Sequence, residues 1–383
     1  MRHLKILFLT LLLLFLTVAA WSLSNRLPMP PTGLASEKYE GFSGVLQIWI
    51  GENVADDLGS VQSWINKQAA VFEKNNSGVY IRLNAVPIEQ LAAASHAVQP
   101  PDMILFCPGD VPAAGLLALE EAELSPAFRN AGSSGGATLA HPVAAGGYVL
   151  AAAGTLPESL SELPEGSVGA PEGMEPALIA LCERYAVQRK SERTIAAPDI
   201  GLLTSATPEP TLAPVEGTSL RAENLRADTL ANLYSALLSG EISATPLTQR
   251  QVARIRAAQA DGKYGDIQFL NAAGYTDQLL MAAIVDTKRD DLPARSTLCA
   301  AFIDQLLTDE AQAGLSSCAL FPTALTGTLY DSVGGMSQIE AALRRSDCVV
   351  RGAFDPPVSV NLSGFLSGEV SARELMRGLR NES

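Results

Sequence analysis

Val45-Leu46-Gln47-Ile48-Trp49-Ile50 is a run rich in branched and aromatic residues, closed by Gly51, and it reads as a buried strand. Apolar residues then recur at helical spacing from Asp56 to Asn75 (Leu58, Val61, Trp64, Ile65, Ala69 and Phe72), with Gly78 shortly beyond the end. Val79-Tyr80-Ile81-Arg82-Leu83 alternates like a strand, and a helix is predicted from Ile88 to Val98. Pro101-Asp102-Met103-Ile104-Leu105-Phe106 is a third strand, stopped by Pro108-Gly109. Strands separated by helices, with apolar runs suited to a sheet covered on both faces, indicate a parallel βαβαβ unit. Ligands of such sheets bind outside the carboxyl ends of the strands, which points to Trp49 through Asn53 and Cys107 through Asp110.

Upstream, Arg2 and Lys5 precede an apolar run from Ile6 to Leu23, broken only by Thr10, Thr17 and Ser22. A basic flank followed by a greasy stretch is an export signal, and this one is also just long enough to span a bilayer core. Residues 1–24 are therefore a signal peptide, cleaved after Val18-Ala19-Ala20, or an N-terminal membrane anchor whose charged end stays inside. Residues 25–43, with Pro28, Pro30, Pro31 and Gly33, read as a linker. The predicted location is extracytoplasmic, secreted or tethered to the cell membrane.

At roughly 150 residues per domain, a chain of 383 residues suggests two to three domains or two lobes. Apolar residues make up 47% and charged residues 18%, which supplies a core and excludes charge-driven disorder. Lys and Arg number 27 against 41 Asp and Glu, and the net charge of −14 argues against nucleic acid, whose affinity comes from phosphate neutralisation. The cysteines (Cys107, Cys182, Cys299, Cys318, Cys348) are odd in number, unpaired in spacing and set among apolar neighbours, as for buried free thiols. With only His96 and His141 beyond the N-terminal segment, a zinc site has poor raw material, and neither metal nor cofactor is expected. Gly132-Ser133-Ser134-Gly135-Gly136 matches G-x-S-x-G but lacks the strand and helix that a nucleophile turn needs, so no enzyme is read from it.

Downstream, Pro142-Val143-Ala144 and Tyr148-Val149-Leu150 flank Gly146-Gly147, a bendable crossover. The stretch from Pro157 to Pro176 reads as loop, Ala177 to Gln188 as helix, and Lys190 to Gly217 mainly as loop with a short strand at Ile200-Gly201-Leu202-Leu203. Helices are predicted at Asn224 to Ser239, Thr248 to Asp261 and Ser296 to Leu307, with extended segments at Ile267 to Leu270 and Leu279 to Val285.

Several of these pieces occur together in a known order. Gln47-Ile48-Trp49 followed by a helix closing on Phe72-Glu73-Lys74 resembles the opening of the extracellular solute-binding proteins of ABC importers, of the maltodextrin-binding type. Pro101-Asp102-Met103-Ile104 is similar to their third strand, and Leu116-Leu117-Ala118-Leu119 to the leucine pair after it. Tyr234 to Ile242, Phe302 to Gln312 and Leu320-Phe321-Pro322-Thr323 are similar to later segments of the same family. The resemblance implies an α/β, two-lobe periplasmic-binding-protein-like fold of type II, with mainly parallel sheets flanked by helices and hinge crossovers. Lobe 1 would comprise 44–143 and 272–320, and lobe 2 would comprise 144–271 and 321–383. It further implies a monomer that closes on a small solute, carbohydrate being one candidate, and delivers it to ABC permease subunits in the membrane. A non-transporting sensory or scaffolding descendant of the fold is the alternative; a cell-envelope enzyme is disfavoured by the scarcity of histidine.

The family's ligand contacts vary with the solute, so the candidate residues are chosen by position. Trp49 could stack on a planar solute or fill the core between sheet and helix. Glu52 and Asn53 could hydrogen-bond a polar solute or be solvated loop residues. Asp110, after the third strand, could meet a cation or hydroxyl or simply hold a turn, and Tyr148 could face the cleft or pack at the hinge. Tyr275 and Asp277, before the second crossover, could contribute a ring and a carboxylate; a helix N-cap at Thr276 or Asp277 is the plainer alternative.

Overall fold

The apolar run is strand β1 (Gly44–Gly51), and the burial of its alternate residues explains its composition. Leu46, Ile48 and Ile50 enter one core with Trp64, Ile65 and Phe72 of helix α1 (Val61–Asn75), while Trp49 joins a second core on the other face. A strand covered on both faces has no reason to alternate polar with apolar residues. The computed structural model describes residues 42–54, 58–157, 160–182, 220–324, 327–356, 360, 362–367 and 369–381. The expected N-terminal segment 1–24, nearly all of the linker to 43, the helix start at Asp56, the end of the helix from Ala177 to Gln188, and the loop from Lys190 to Gly217 with its strand at 200–203 lie outside the described residues. Among the described residues, no helix is long and apolar enough to cross a membrane.

In chain order the further strands are β2 (Val79–Val86), β3 (Met103–Phe106), the hairpin β4 (Ser133–Ser134) and β5 (Ala137–Thr138), β6 (His141–Ala145), β7 (Tyr148–Ala153), β8 (Val168–Pro171), β9 (Leu225–Asp228), β10 (Ala244–Thr248), β11 (Ile267–Ala272), β12 (Tyr275–Thr276), β13 (Leu279–Ile284) and β14 (Val349–Val350). Two five-stranded sheets result, in the orders β2-β1-β3-β13-β6 and β11-β7-β10-β8-β9. The helices that cover them include α2 (Ile88–Ala92), α3 (175–182), α4 (Leu230–Ser239), α5 (Gln249–Ala260), α6 (Leu292–Leu306), α7 (Asp309–Ala313) and α8 (Met336–Leu343). Ring contacts and hydrogen bonds pin α1 in place: Phe72 meets Phe302 of α6 edge-on at 5.3 Å, and Trp64 Nε1 donates to the Ala311 carbonyl of α7 at 2.8 Å.

The expectation of mainly parallel sheets is corrected, because each sheet is mixed. β2 and β3 run parallel to β1, but β13 is antiparallel to both β3 and β6. In the second sheet β8 is parallel to β10 and β9, whereas β7 is antiparallel to β10 and β11. The opposed strands are those that arrive from the other sheet, β7 directly after β6 and β13 after β11 and β12. A short crossing brings such a strand in from the end opposite to that of a helix-connected neighbour.

Three further expectations are corrected. The helix from Asn224 is a turn of 3-10 helix (Ala222–Asn224) followed by the edge strand β9, and only Leu230–Ser239 is α-helical, started by Thr229, whose hydroxyl accepts from Asn232 N. The loop from Pro157 to Pro176 contains β8, whose Val168-Gly169-Ala170-Pro171 lacks the bulky side chains that usually announce a strand. The helix from Ile88 ends at Ala92 and passes into a 3-10 turn at Ala94–His96, which leaves Val98 fully exposed.

A buried carboxylate locks the entry to β3. Asp102, with a side chain only 1% exposed, takes Arg289 Nη1 at 3.1 Å on one oxygen, and Arg295 Nη1 at 3.0 Å and Gln47 N at 2.8 Å on the other. It thereby ties β1 to the loop and helix after β13. Removing one partner of a buried ion pair strands the others, so Asp102→Ala is expected to lower the unfolding free energy by about 3 kcal/mol; chemical denaturation of the two proteins measures the difference, and a change under about 0.5 kcal/mol would contradict this role.

Candidate functional site

The chain passes between the sheets between β6 and β7, between β11 and β13, and again after Phe321, which pairs with Ala145 in an isolated antiparallel bridge. The first passage is Gly146-Gly147. A Cβ on Gly146 would come within 2.5 Å of Gln278 Oε1 and 2.6 Å of Gln249 Nε2, and one on Gly147 within 2.5 Å of Ile339 Cγ2 of α8. The crossings are stitched together by polar contacts: Thr276 Oγ1 donates to the Gly146 carbonyl at 2.9 Å, Gly146 N to the Gln278 carbonyl at 2.6 Å, and Gly147 N to Gln249 Oε1 at 3.0 Å.

Against these crossings lies a cavity of about 400 Å³. Asn53, Cys107 and Asp110 line it at the carboxyl ends of β1 and β3; Tyr148, Met174, Thr248 and Arg250 line it from the second sheet and its helices; Asp277, Gln278 and Arg351 come from the crossings. The β1 and β3 ends supply this wall because each strand gives way there to a turn that frees side chains from the sheet. Asp110 Oδ2 accepts from Asn53 Nδ2 and from Cys107 N, both at 3.0 Å, which leaves Asn53 Oδ1 buried with no donor. Gln278 Oε1 is likewise buried and unpartnered.

Asp277 is the centre of the polar network. Its Oδ1 accepts from Tyr148 OH at 2.5 Å and its Oδ2 from Tyr275 OH at 3.2 Å. Burial pushes its carboxyl above the ordinary carboxylate range, more than the phenol donors and the Arg351 charge bring it down. The Tyr275 phenol is raised in turn, first by burial and then by the carboxylate beside it.

Of the residues singled out in the sequence, Asn53, Asp110, Tyr148 and Asp277 line this cavity. Trp49 does not: it faces a separate cavity of about 830 Å³ on the first sheet, beside Gln47, Arg82 and Asn84. Strand periodicity puts it there, since it shares the face of Val45 and Gln47 two residues before the strand ends. Glu52 is exposed in the turn after β1 and does not line the cavity. Tyr275, only 1% exposed, reaches it solely through the hydroxyl that holds Asp277. Sequence reasoning missed Gln249, Arg250, Gln278 and Arg351. The first two open a helix at the end of β10, a strand-end position that was a readable signal, whereas nothing local marks Arg351.

No family model and no curated protein matches the sequence. Solved structures do match. A cyclic alpha-maltosyl-1,6-maltose binding protein from Arthrobacter globiformis aligns over 89% of this chain and 98% of its own, at 11% identity and a TM-score of 0.53. A structure from work on xylan utilization by the thermophilic bacterium Caldanaerobius polysaccharolyticus aligns over 88% and 100%, at 12% identity and 0.50. A chitin oligosaccharide binding protein aligns over 89% and 98%, at 12% identity and 0.50. The chain has the type II fold of the periplasmic solute-binding proteins. At such identities the likeness carries the fold, and the cavity must be read from its own residues.

The raised carboxyl of Asp277 gives a pH test. Protonation of a group whose folded-state pKa is raised contributes stability that is fully present below the ordinary carboxylate pKa, about 4, and is lost as pH rises through the raised value. The groups facing it are Tyr148, Tyr275 and Arg351. Urea unfolding is therefore expected to show the wild type losing stability relative to Asp277→Asn across that rise; parallel pH profiles would contradict the assignment.

Proposed function

We propose that this protein is an extracytoplasmic solute-binding protein that captures a small polar solute between two lobes and hands it to an ABC permease. The observation that carries the reading is the cavity at the crossings, walled from both sheets and lined largely by polar and charged side chains. A solute that touches both walls favours the closed arrangement by its differential affinity, and the bend is confined to the few residues of the crossings. In this reading the lobes are 44–143 with 272–320 and 144–271 with 321–383, Asn53, Asp110, Tyr148 and Asp277 contact the solute, and Tyr275 positions Asp277. Residues 1–24 would export the chain or tether it.

Known structures of this fold include proteins named for maltosyl and chitin oligosaccharides, which supports a binding role over a catalytic one. Carbohydrate is a less natural solute here, because among the described residues Tyr148 is the one aromatic side chain on the cavity wall and its hydroxyl donates to Asp277. The volume of about 400 Å³ is at the small end of ligand pockets, which span roughly 300–1,000 Å³.

Thermal unfolding against sugars, oligosaccharides, organic acids, amino acids, peptides, polyamines and divalent cations tests the reading. A solute at about 100 times its Kd adds about 2.7 kcal/mol, enough to raise Tm by a few degrees in a protein of this size. A reproducible shift from one chemical class is expected. No shift across the panel from folded protein would contradict solute binding and favour the non-transporting sensory or scaffolding descendant.

A further inference from the structure

Arg351 stands where β14 ends and makes no direct ion pair with a described residue. Its backbone N donates to the Thr276 carbonyl at 2.9 Å, which fixes the residue against the second crossing. The guanidinium has five donors. Nη2 reaches the Asp355 carbonyl at 3.3 Å, Nε is buried with no acceptor, and no carboxylate of a described residue lies within ion-pair distance. A buried donor without a partner is costly, more so on a charged group, and the structure has nonetheless made room for it. Gly109, at φ +90°, packs on the guanidinium so closely that a Cβ there would come within 2.4 Å of Nη2.

Asp110, Glu172 and Asp277 line the same cavity, and none of them is within ion-pair distance of the guanidinium. Both oxygens of Asp277 are occupied by the phenols of Tyr148 and Tyr275. One oxygen of Asp110 holds Asn53 and the Cys107 amide. The guanidinium thus meets the cavity as a planar donor fork of the kind that pairs two-pronged with carboxylates. Asn53, Asp110 and Gln278 line the same cavity.

We propose that Arg351 is the receptor for a carboxylate on the solute, so that the solute class is a small carboxylic acid whose hydroxyl or ammonium donors face Asp110. The inference rests on the solute-binding reading and sharpens it. Two sources share this chemistry, sugar acids and amino acids, and they differ in the donor they present to the acceptor side.

The test is calorimetric titration of the folded protein with matched pairs that differ only in the acid: glucuronate against glucuronamide and against glucose, galacturonate against galactose, and a panel of amino acids against their amides. A carboxylate of one source is expected to bind, with its amide or neutral parent about 10- to 100-fold weaker. Arg351→Gln should weaken the acid by a similar factor while leaving the neutral parent unchanged, and Arg351→Lys should recover part of the loss. Without ligand, Arg351→Gln should unfold at a temperature close to that of the wild type, since the half-buried guanidinium makes no ion pair with a described residue. Equal binding of acid and neutral parent, or marked unfolding of Arg351→Gln without ligand, would overturn the role of Arg351 while solute binding stands. Absence of binding by every solute in these pairs and in the wider thermal panel would overturn both.

Discussion

Gly146 and Gly147 leave no space for a side chain, and the two sheets meet through that gap. Gln249 from the second sheet's helix α5, Gln278 from the crossing before β13 and Ile339 from α8 all close on these two residues, so three segments of the chain are packed against one dipeptide. Hydrogen bonds from Thr276, Gly146 and Gly147 hold the passages in register. Beside this junction a single apolar core runs from one sheet to the other, joining Ile104, Phe106 and Met281 with Val149, Leu247 and Ile267. In the proposed reading the bend falls at these narrow crossings, beside the cavity.

The polar groups next to the junction follow a consistent pattern. Asp277 is buried with two phenol donors in place of a full counter-ion, and Arg351 is held by backbone contacts in place of a carboxylate. Neither arrangement maximises stability, because buried groups without complete partners cost free energy. Asp102 offers the contrast within the same chain: its carboxylate is fully met by two arginines and a backbone amide, as a purely structural charge should be.

Much of the first sheet was legible because β1, α1 and β3 carry strong periodicity and sharp Gly and Pro stops, and the Gly146-Gly147 pair marks the first crossing plainly. The second sheet was harder. β8 and β9 are short strands built on Val168-Gly169-Ala170-Pro171 and Leu225-Arg226-Ala227-Asp228, whose side chains carry little strand preference, and their pairing is set by neighbours far along the chain. Strand direction was misread for a related reason, since it depends on which connections cross between sheets. At the site, Asn53 and Asp110 could be chosen from strand ends alone, whereas Trp49, chosen on the same ground, packs into a core, as its plainer alternative had it. Arg351 could not be seen, because only the pairing of β14 with β12 brings it to the cavity.

The central claim is that the two sheets belong to lobes that close about the crossings when solute enters. Spin labels on cysteines introduced at exposed Lys67 of α1 and exposed Ser235 of α4, one on the helical cover of each sheet, report the separation directly by pulsed electron resonance; the native cysteines are buried. A saturating solute from the panel is predicted to shift the distance distribution to one shorter, narrower population. An unchanged distribution on binding would contradict closure.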